Sequence, residues 1–151
     1  MKVVYGDLIQ KALEGEFDVI IHGCNCFHTM GAGIARTIRN AFPEAYKADL
    51  ATANGDSSKL GSLSVAKVTK FGHTISIVNA YTQFNFGSHV VQVNYDALRL
   101  CFSRIKRRFA GQRIGYPRIG AGLAGGDWSI IAKIIDEELL GEDHTLVEWR
   151  P

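Results

Sequence analysis

The sequence predicts an α/β protein of three layers, with a central mixed, mostly parallel sheet of about six strands covered by helices on both faces. Three observations carry this expectation. Apolar runs of strand length alternate with amphipathic stretches of helix length, the pattern of strand–helix–strand crossovers. Val19, Ile20 and Ile21 form a continuous β-branched run, as in a strand buried on both sides. Phe71-Gly72-His73 lies between two strand-like stretches and has the size of a hairpin turn. A length of 151 residues suits one domain spanning 1–151, large enough to bury a core.

The elements follow in order. Val3 to Tyr5 read as a first strand, ended by Gly6-Asp7, and Asp7 can cap a helix from Leu8 to Leu13 that stops at Gly15. Phe17 to Gly23 form the second strand. Ile34 to Ala41 carry apolar Ile34, Ile38 and Ala41 at helical spacing, and Pro43 opens a further helix from Glu44 to about Ala53, broken by Asn54-Gly55-Asp56. Leu60 to Val68 and Thr74 to Tyr81 read as strands. Gln83 to Val91 is a loop rich in Phe, Asn and Gly. Asn94 to Phe109 is a helix with a stripe of Ala97, Leu98, Cys101, Ile105 and Phe109, and Gly111 suits its C-terminal stop. Arg113 to Pro117 form a strand, Trp128 to Leu140 a helix behind Asp127, and Thr145 to Trp149 a last strand.

Two glycine loops stand out. The stretch Asp18 to Ala35 leaves a strand, turns polar at Asn25 and His28, passes Gly31 and Gly33, and enters a helix at Ile34. Glycines allow close backbone approach to a ligand, and a helix start offers free N–H groups and a positive dipole end. Arg118 to Gly126 repeats the arrangement after another strand. In such sheets ligands lie outside the carboxyl ends of the strands, so both loops open on one edge. Two phosphate-cradling loops facing each other suit a diphosphate, such as a nucleotide sugar. The alternative is a pair of ordinary tight turns.

Composition narrows the field. A net charge of +2 gives no general pull toward nucleic acid, and the densest basic cluster, Arg104, Lys106, Arg107 and Arg108, reads as a solvated helix end. Cys24 and Cys26 are too close for an easy disulfide and no CxxC pair occurs, so reduced cysteines in a cytoplasmic protein are expected, without a structural zinc site. The N-terminal stretch carries no apolar h-region, and no apolar run is long enough to cross a membrane. No cofactor and no metal are expected.

At these motifs the sequence resembles the macrodomain family, whose members bind ADP-ribose, over nearly the whole chain. Val-Val-Tyr-Gly-Asp-Leu looks like the family's first strand and Gly-Asp motif; the resemblance implies that Asp7 bonds the adenine amino group, with Leu8 beside the ring. His22-Gly-Cys-Asn25 stands where the family usually has Asn-Ala-Ala-Asn, and Asn25 matches the Asn that contacts the distal ribose. Gly31, Ala32, Gly33 and Ile34 match the first glycine loop, and Gly120, Ala121, Gly122, Leu123 and Ala124 the loop that wraps the diphosphate. The pattern is most similar to the branch with yeast-type ADP-ribose 1''-phosphate phosphatases and terminal ADP-ribose glycohydrolases. The glycohydrolases carry a lysine after the strand corresponding to Ile75–Tyr81, and an aspartate in the second loop. This chain has no lysine between Lys70 and Lys106, and Ala124 stands in place of that aspartate.

The resemblance therefore implies a monomeric, metal-independent phosphatase that converts ADP-ribose 1''-phosphate to ADP-ribose and phosphate. Removal of ADP-ribose from ADP-ribosylated macromolecules, and non-catalytic ADP-ribose reading, stay open as alternatives. Asn25 can orient a ligand but cannot take a proton. Imidazole, with an ordinary pKa of roughly 6.5, makes His28 a candidate for acid–base work, and Asp127 is the second candidate. His28 also reads as a surface loop residue, and Asp127 as a plain helix cap. Tyr81, Thr82 and Gln83 are expected to line the pocket. Phe84 and Phe86 suit stacking, Cys24 and Cys26 read as packing residues, and His89 has no assigned role.

Overall fold

The computed structural model describes residues 1–87 and 90–151; His89 and one residue of the Gln83–Val91 loop lie outside the described residues. The chain runs β1 (Lys2–Gly6), α1 (Leu8–Leu13), β2 (Val19–Cys24), α2 (Gly33–Ala41), α3 (Pro43–Leu50), a 3-10 turn (Ser57–Lys59), β3 (Leu63–Lys70), β4 (His73–Tyr81), α4 (Tyr95–Phe109), β5 (Ile114–Tyr116), α5 (Trp128–Glu138) and β6 (His144–Trp149). The six strands form one sheet in the order β1-β6-β5-β2-β4-β3. All neighbours are parallel except β3 and β4. The three-layer, mostly parallel sheet expected from the sequence is therefore the observed fold.

Alternation along the strands sends side chains to opposite faces. Val19, Ile21, Val78 and Ala80 pack against α4 and α5 through Leu98, Cys101, Ile105, Ile131 and Ile135. Ile20, Ile75 and Ile77 pack on the other face against Leu8 and Ala12 of α1, Ile38 of α2 and Ala45 of α3. Among the described residues no helix is long and apolar enough to cross a membrane.

Several boundaries differ from the sequence expectation, each for a local reason. The β3–β4 hairpin turns over Phe71 and Gly72 alone, both at positive φ (51 and 78), so His73 pairs with Lys70 instead of standing in the turn. β3 begins at Leu63 because Asp56 caps the 3-10 turn at Ser58 and Gly61 takes φ +85 against Leu100. α3 ends at Leu50, where the Thr52 hydroxyl donates to the Asp49 carbonyl (2.6 Å) and satisfies an end group.

Candidate functional site

The first loop leaves the carboxyl end of β2 and is shaped by Asn25. Its Oδ1 accepts from the Phe27 amide (2.8 Å), and its Nδ2 donates to the Thr29 hydroxyl and carbonyl. This side-chain turn reverses the chain within five residues. His28 follows at φ 58, a left-handed conformation held by two contacts. Its Nε2 donates to the Thr52 carbonyl (2.8 Å), and the Tyr46 hydroxyl donates to its own carbonyl (3.3 Å). Because a carbonyl only accepts, Nε2 carries the proton and Nδ1 is the basic nitrogen of the neutral ring.

α2 then starts at Gly33 without a side-chain cap, since Ala32 stands at the capping position. The contrast with the other helices is chemical. Asp7 caps α1, Asn94 caps α4 and Asp127 caps α5 through side-chain oxygens, and α3 starts on Pro43, which has no N–H. The first amides of α2 thus face outward unpaired, with the positive end of the helix dipole behind them.

The second loop leaves β5 at Tyr116. Gly120, at φ +76, accepts the Gly126 amide on its carbonyl (2.7 Å), and the Ala124 carbonyl accepts the Gln92 amide (2.8 Å), which ties the loop to the segment before α4. Among the described residues the amides of Gly122, Leu123 and Ala124 make no backbone hydrogen bond.

Together the loops enclose a cleft of about 680 Å³ at the carboxyl ends of β2, β4 and β5. Asn25, Gly31, Ala32, Gly33 and Ile34 line one side, and Gly120, Ala121, Gly122, Leu123 and Ala124 the other. These sequence-predicted residues are brought together. Gln83 and Phe86 also line the cleft, as the sequence suggested. Thr29 and Arg118 line it without having been singled out, although each sits inside a loop that was. Arg118 is the one charged side chain on the wall among the described residues, and it pairs with Glu148 at 2.6 Å.

Seven predicted residues do not line this cleft. The His28 ring is turned to Thr52. The Asp127 Oδ1 accepts from the Ser129 amide and hydroxyl, and these bonds hold its carboxyl below the ordinary range. The Asp7 Oδ1 accepts from Ile9 (2.9 Å) and Gln10 (3.2 Å), and Leu8 is buried in the core beneath it. Tyr81 and Thr82, expected on the wall, are fully buried behind it, Tyr81 donating to Asp49 at 2.6 Å. Phe84 packs edge-on against Phe27, with ring centroids 4.9 Å apart.

Cys24 lines the cleft beside His22, its Sγ 3.5 Å from Nε2. Burial pushes this thiol well above its usual pKa and pulls His22 down to about 4. Neither ionises readily near neutrality, so the pair is not a thiolate–imidazolium nucleophile. The cleft offers uncapped amides, a flexible glycine lining and a polar turn: a receptor for an anion joined to hydroxyl-bearing groups.

Comparison with known proteins agrees with this geometry. The Macro domain family model matches residues 21–135. An uncharacterized 17.5 kDa protein in the tk-vs intergenic region of Enterobacteria phage T4 is 38% identical over 156 residues, covering 100% of this chain and 97% of its own length. The macrodomain of Mycobacterium tuberculosis DarG superposes with a TM-score of 0.72 at 20% identity, covering 99% of this chain and 97% of that one. A Trypanosoma brucei macrodomain solved in complex with ADP-ribose superposes with a TM-score of 0.67 at 16% identity, covering 97% of this chain and 63% of that one.

Proposed function

The chain belongs to the Macro domain family, and from that premise we propose that its cleft binds ADP-ribose and that the protein hydrolyses ADP-ribose 1''-phosphate to ADP-ribose and phosphate. One observation carries the binding reading: the uncapped start of α2 and the unpaired amides of Gly122 to Ala124 face a single cleft. A diphosphate accepts from such amides without a lysine or metal beside it. The ADP-ribose complex of the similar T. brucei macrodomain supports the choice of ligand.

In this reading Asn25 and Thr29 contact the distal ribose, and the adenine lies beyond the cleft lining, where Asp7 offers its second carboxylate oxygen to the amino group and the buried Leu8 supports that end from the core side. A water attacks the terminal phosphorus. Its oxygen forms the new P–O bond, the bond from phosphorus to the ribose 1'' oxygen breaks, and that oxygen takes up a proton as it leaves. Neither His28 nor Asp127 lines the cleft, so a second water would carry the proton to the proposed acceptors, His28 Nδ1, its basic nitrogen, or Asp127 Oδ2, which is unengaged. His28 is the better base because the Ser129 bonds weaken Asp127.

Gln83 bears on the choice of reaction. It occupies the strand-end wall near the position where the resemblance expects a glycohydrolase lysine. An amide cannot form a covalent sugar adduct as an amine can. In this reading the protein is a cytoplasmic monomer; its three cysteines are free and buried, which a reducing compartment allows. Incubation of purified protein with ADP-ribose 1''-phosphate tests the reading: released phosphate supports it, and binding without release makes the protein an ADP-ribose reader.

A further inference from the structure

We propose that a second groove, beside the C-terminal end of α4, binds the backbone phosphates of a single-stranded nucleic acid. It lies at the amino ends of β2 and β4, on the opposite edge of the sheet from the cleft, and has a volume of about 510 Å³. Lys67, Thr74 and Ser76 form its floor, and Arg108, Phe109 and Gln112 its wall. Lys67 and Ser76 are directly opposed in the β3–β4 register, so both side chains rise from the same face.

Two observations point to an anion. Ser76 is 5% exposed, yet its hydroxyl makes no hydrogen bond among the described residues, and it lines the groove. The hydroxyl is not closed off, since Thr82 Oγ1 is the one buried side-chain polar atom without a partner among the described residues; the Ser76 hydroxyl opens onto the groove, where it is free to donate to an anion. The groove is also cationic. Among the described residues neither Lys67 nor Arg108 pairs with a carboxylate. The one carboxylate present, Asp18, has both oxygens taken by Arg113: Oδ1 by Nη2 (2.9 Å), and Oδ2 by the amide (2.8 Å) and Nε (3.1 Å).

A polymer fits better than a lone phosphate. Arg104 stands one helical turn before Arg108, and its guanidinium is held against the Gly61 carbonyl beside the start of β3, so the positive charge continues along the helix ridge past the groove. β3 is the edge strand of the sheet, which leaves the groove open along its length. The recessed Ser76 hydroxyl suits one extended strand, whose phosphates can enter the groove, better than the convex rim of a duplex.

The test is fluorescence anisotropy with a labelled oligothymidylate of about 20 nucleotides across a salt series. Wild type should bind, and less tightly as salt rises. Lys67→Gln with Arg108→Gln should weaken binding at least ~10-fold and flatten the log–log salt slope by about 1.4, the value for two lost single-strand phosphate contacts. Ser76→Ala should weaken it by a smaller factor. Lys47→Gln with Lys133→Gln removes the same charge from exposed sites elsewhere and should change neither affinity nor slope. ADP-ribose binding to each variant reports that the fold and cleft are intact; if the double variant fails that check, Arg108→Gln alone should still weaken oligonucleotide binding. The proposal is overturned if wild type does not bind the oligonucleotide, if the Lys67/Arg108 variant binds like wild type, if the Lys47/Lys133 control loses as much, or if inorganic phosphate at matched ionic strength occupies the groove while the oligonucleotide does not.

Discussion

Leu123 closes on Gly33: its Cδ1 lies 3.5 Å from the point where a Cβ on Gly33 would stand. The second glycine loop therefore rests against the first residue of α2. Gly33 has φ +57, so a side chain there would strain the backbone, while Leu123 would meet it at ordinary van der Waals contact. The two sides of the cleft meet here, with the exposed Leu123 at the rim.

The cleft should hold ADP-ribose at micromolar affinity, roughly −8 kcal/mol. Calorimetry with ADP-ribose, and with AMP to isolate the adenosine end, measures it. Absence of heat and of any thermal shift at millimolar ADP-ribose would remove the ligand assignment.

Gly122→Val should abolish that binding while leaving the fold intact. A Cβ at Gly122 meets nothing within 4 Å and needs no left-handed backbone, so the unfolding midpoint should stay within about 3 °C of wild type. In the bound state the branched side chain would fill space that the diphosphate needs. Retained affinity would show that this loop does not wrap the ligand.

Turnover should separate from binding at the candidate proton carriers. Asn25→Ala should weaken both, because its amide shapes the first loop through Phe27 and Thr29. His28→Ala should lower phosphate release by roughly 100-fold with little change in ADP-ribose affinity. Asp127→Ala should lower release by a similar factor, and it should also cost about 1 kcal/mol of stability through loss of the α5 cap. Wild-type release by both the His28 and Asp127 variants would move the proton transfer to another group.

Stability should fall with acid through His22. Burial lowers its pKa from 6.5 to about 4, so between those values the unfolded chain binds a proton that the folded protein does not. The stabilisation is thus fully present above pH 6.5 and is lost as pH drops toward 4, by about 3 kcal/mol in all. Denaturant melts at pH 7.5 and pH 4.5 should differ accordingly. In His22→Asn, which removes the titrating group, the difference should shrink by that amount; an unchanged pH dependence would assign the acid sensitivity to other groups.

Much of the architecture was legible beforehand. Asp7 and Asp127 mark helix starts by side-chain chemistry that acts over two or three residues, and the structure uses both as caps in that way, with Asn94 capping α4 besides. The glycine loops were legible because their spacing after apolar strands is also local. The paired roles for Asp7 and Asp127 were harder to separate, since a carboxylate that caps a helix and one that meets a ligand look identical in one dimension.

By itself, the sequence determined the order of strands and helices, the two glycine loops and the edge on which they open, because periodicity, turn residues and caps are properties of short windows. Only the tertiary structure decided which side chains share the cleft. His28 turns to Thr52, 24 residues on, and His22 bonds Asn79, 57 residues on, at 2.6 Å. Those partners are set by parallel strand register and by the packing of α3 on the sheet, long-range relations in which a single step of register would exchange one face for the other.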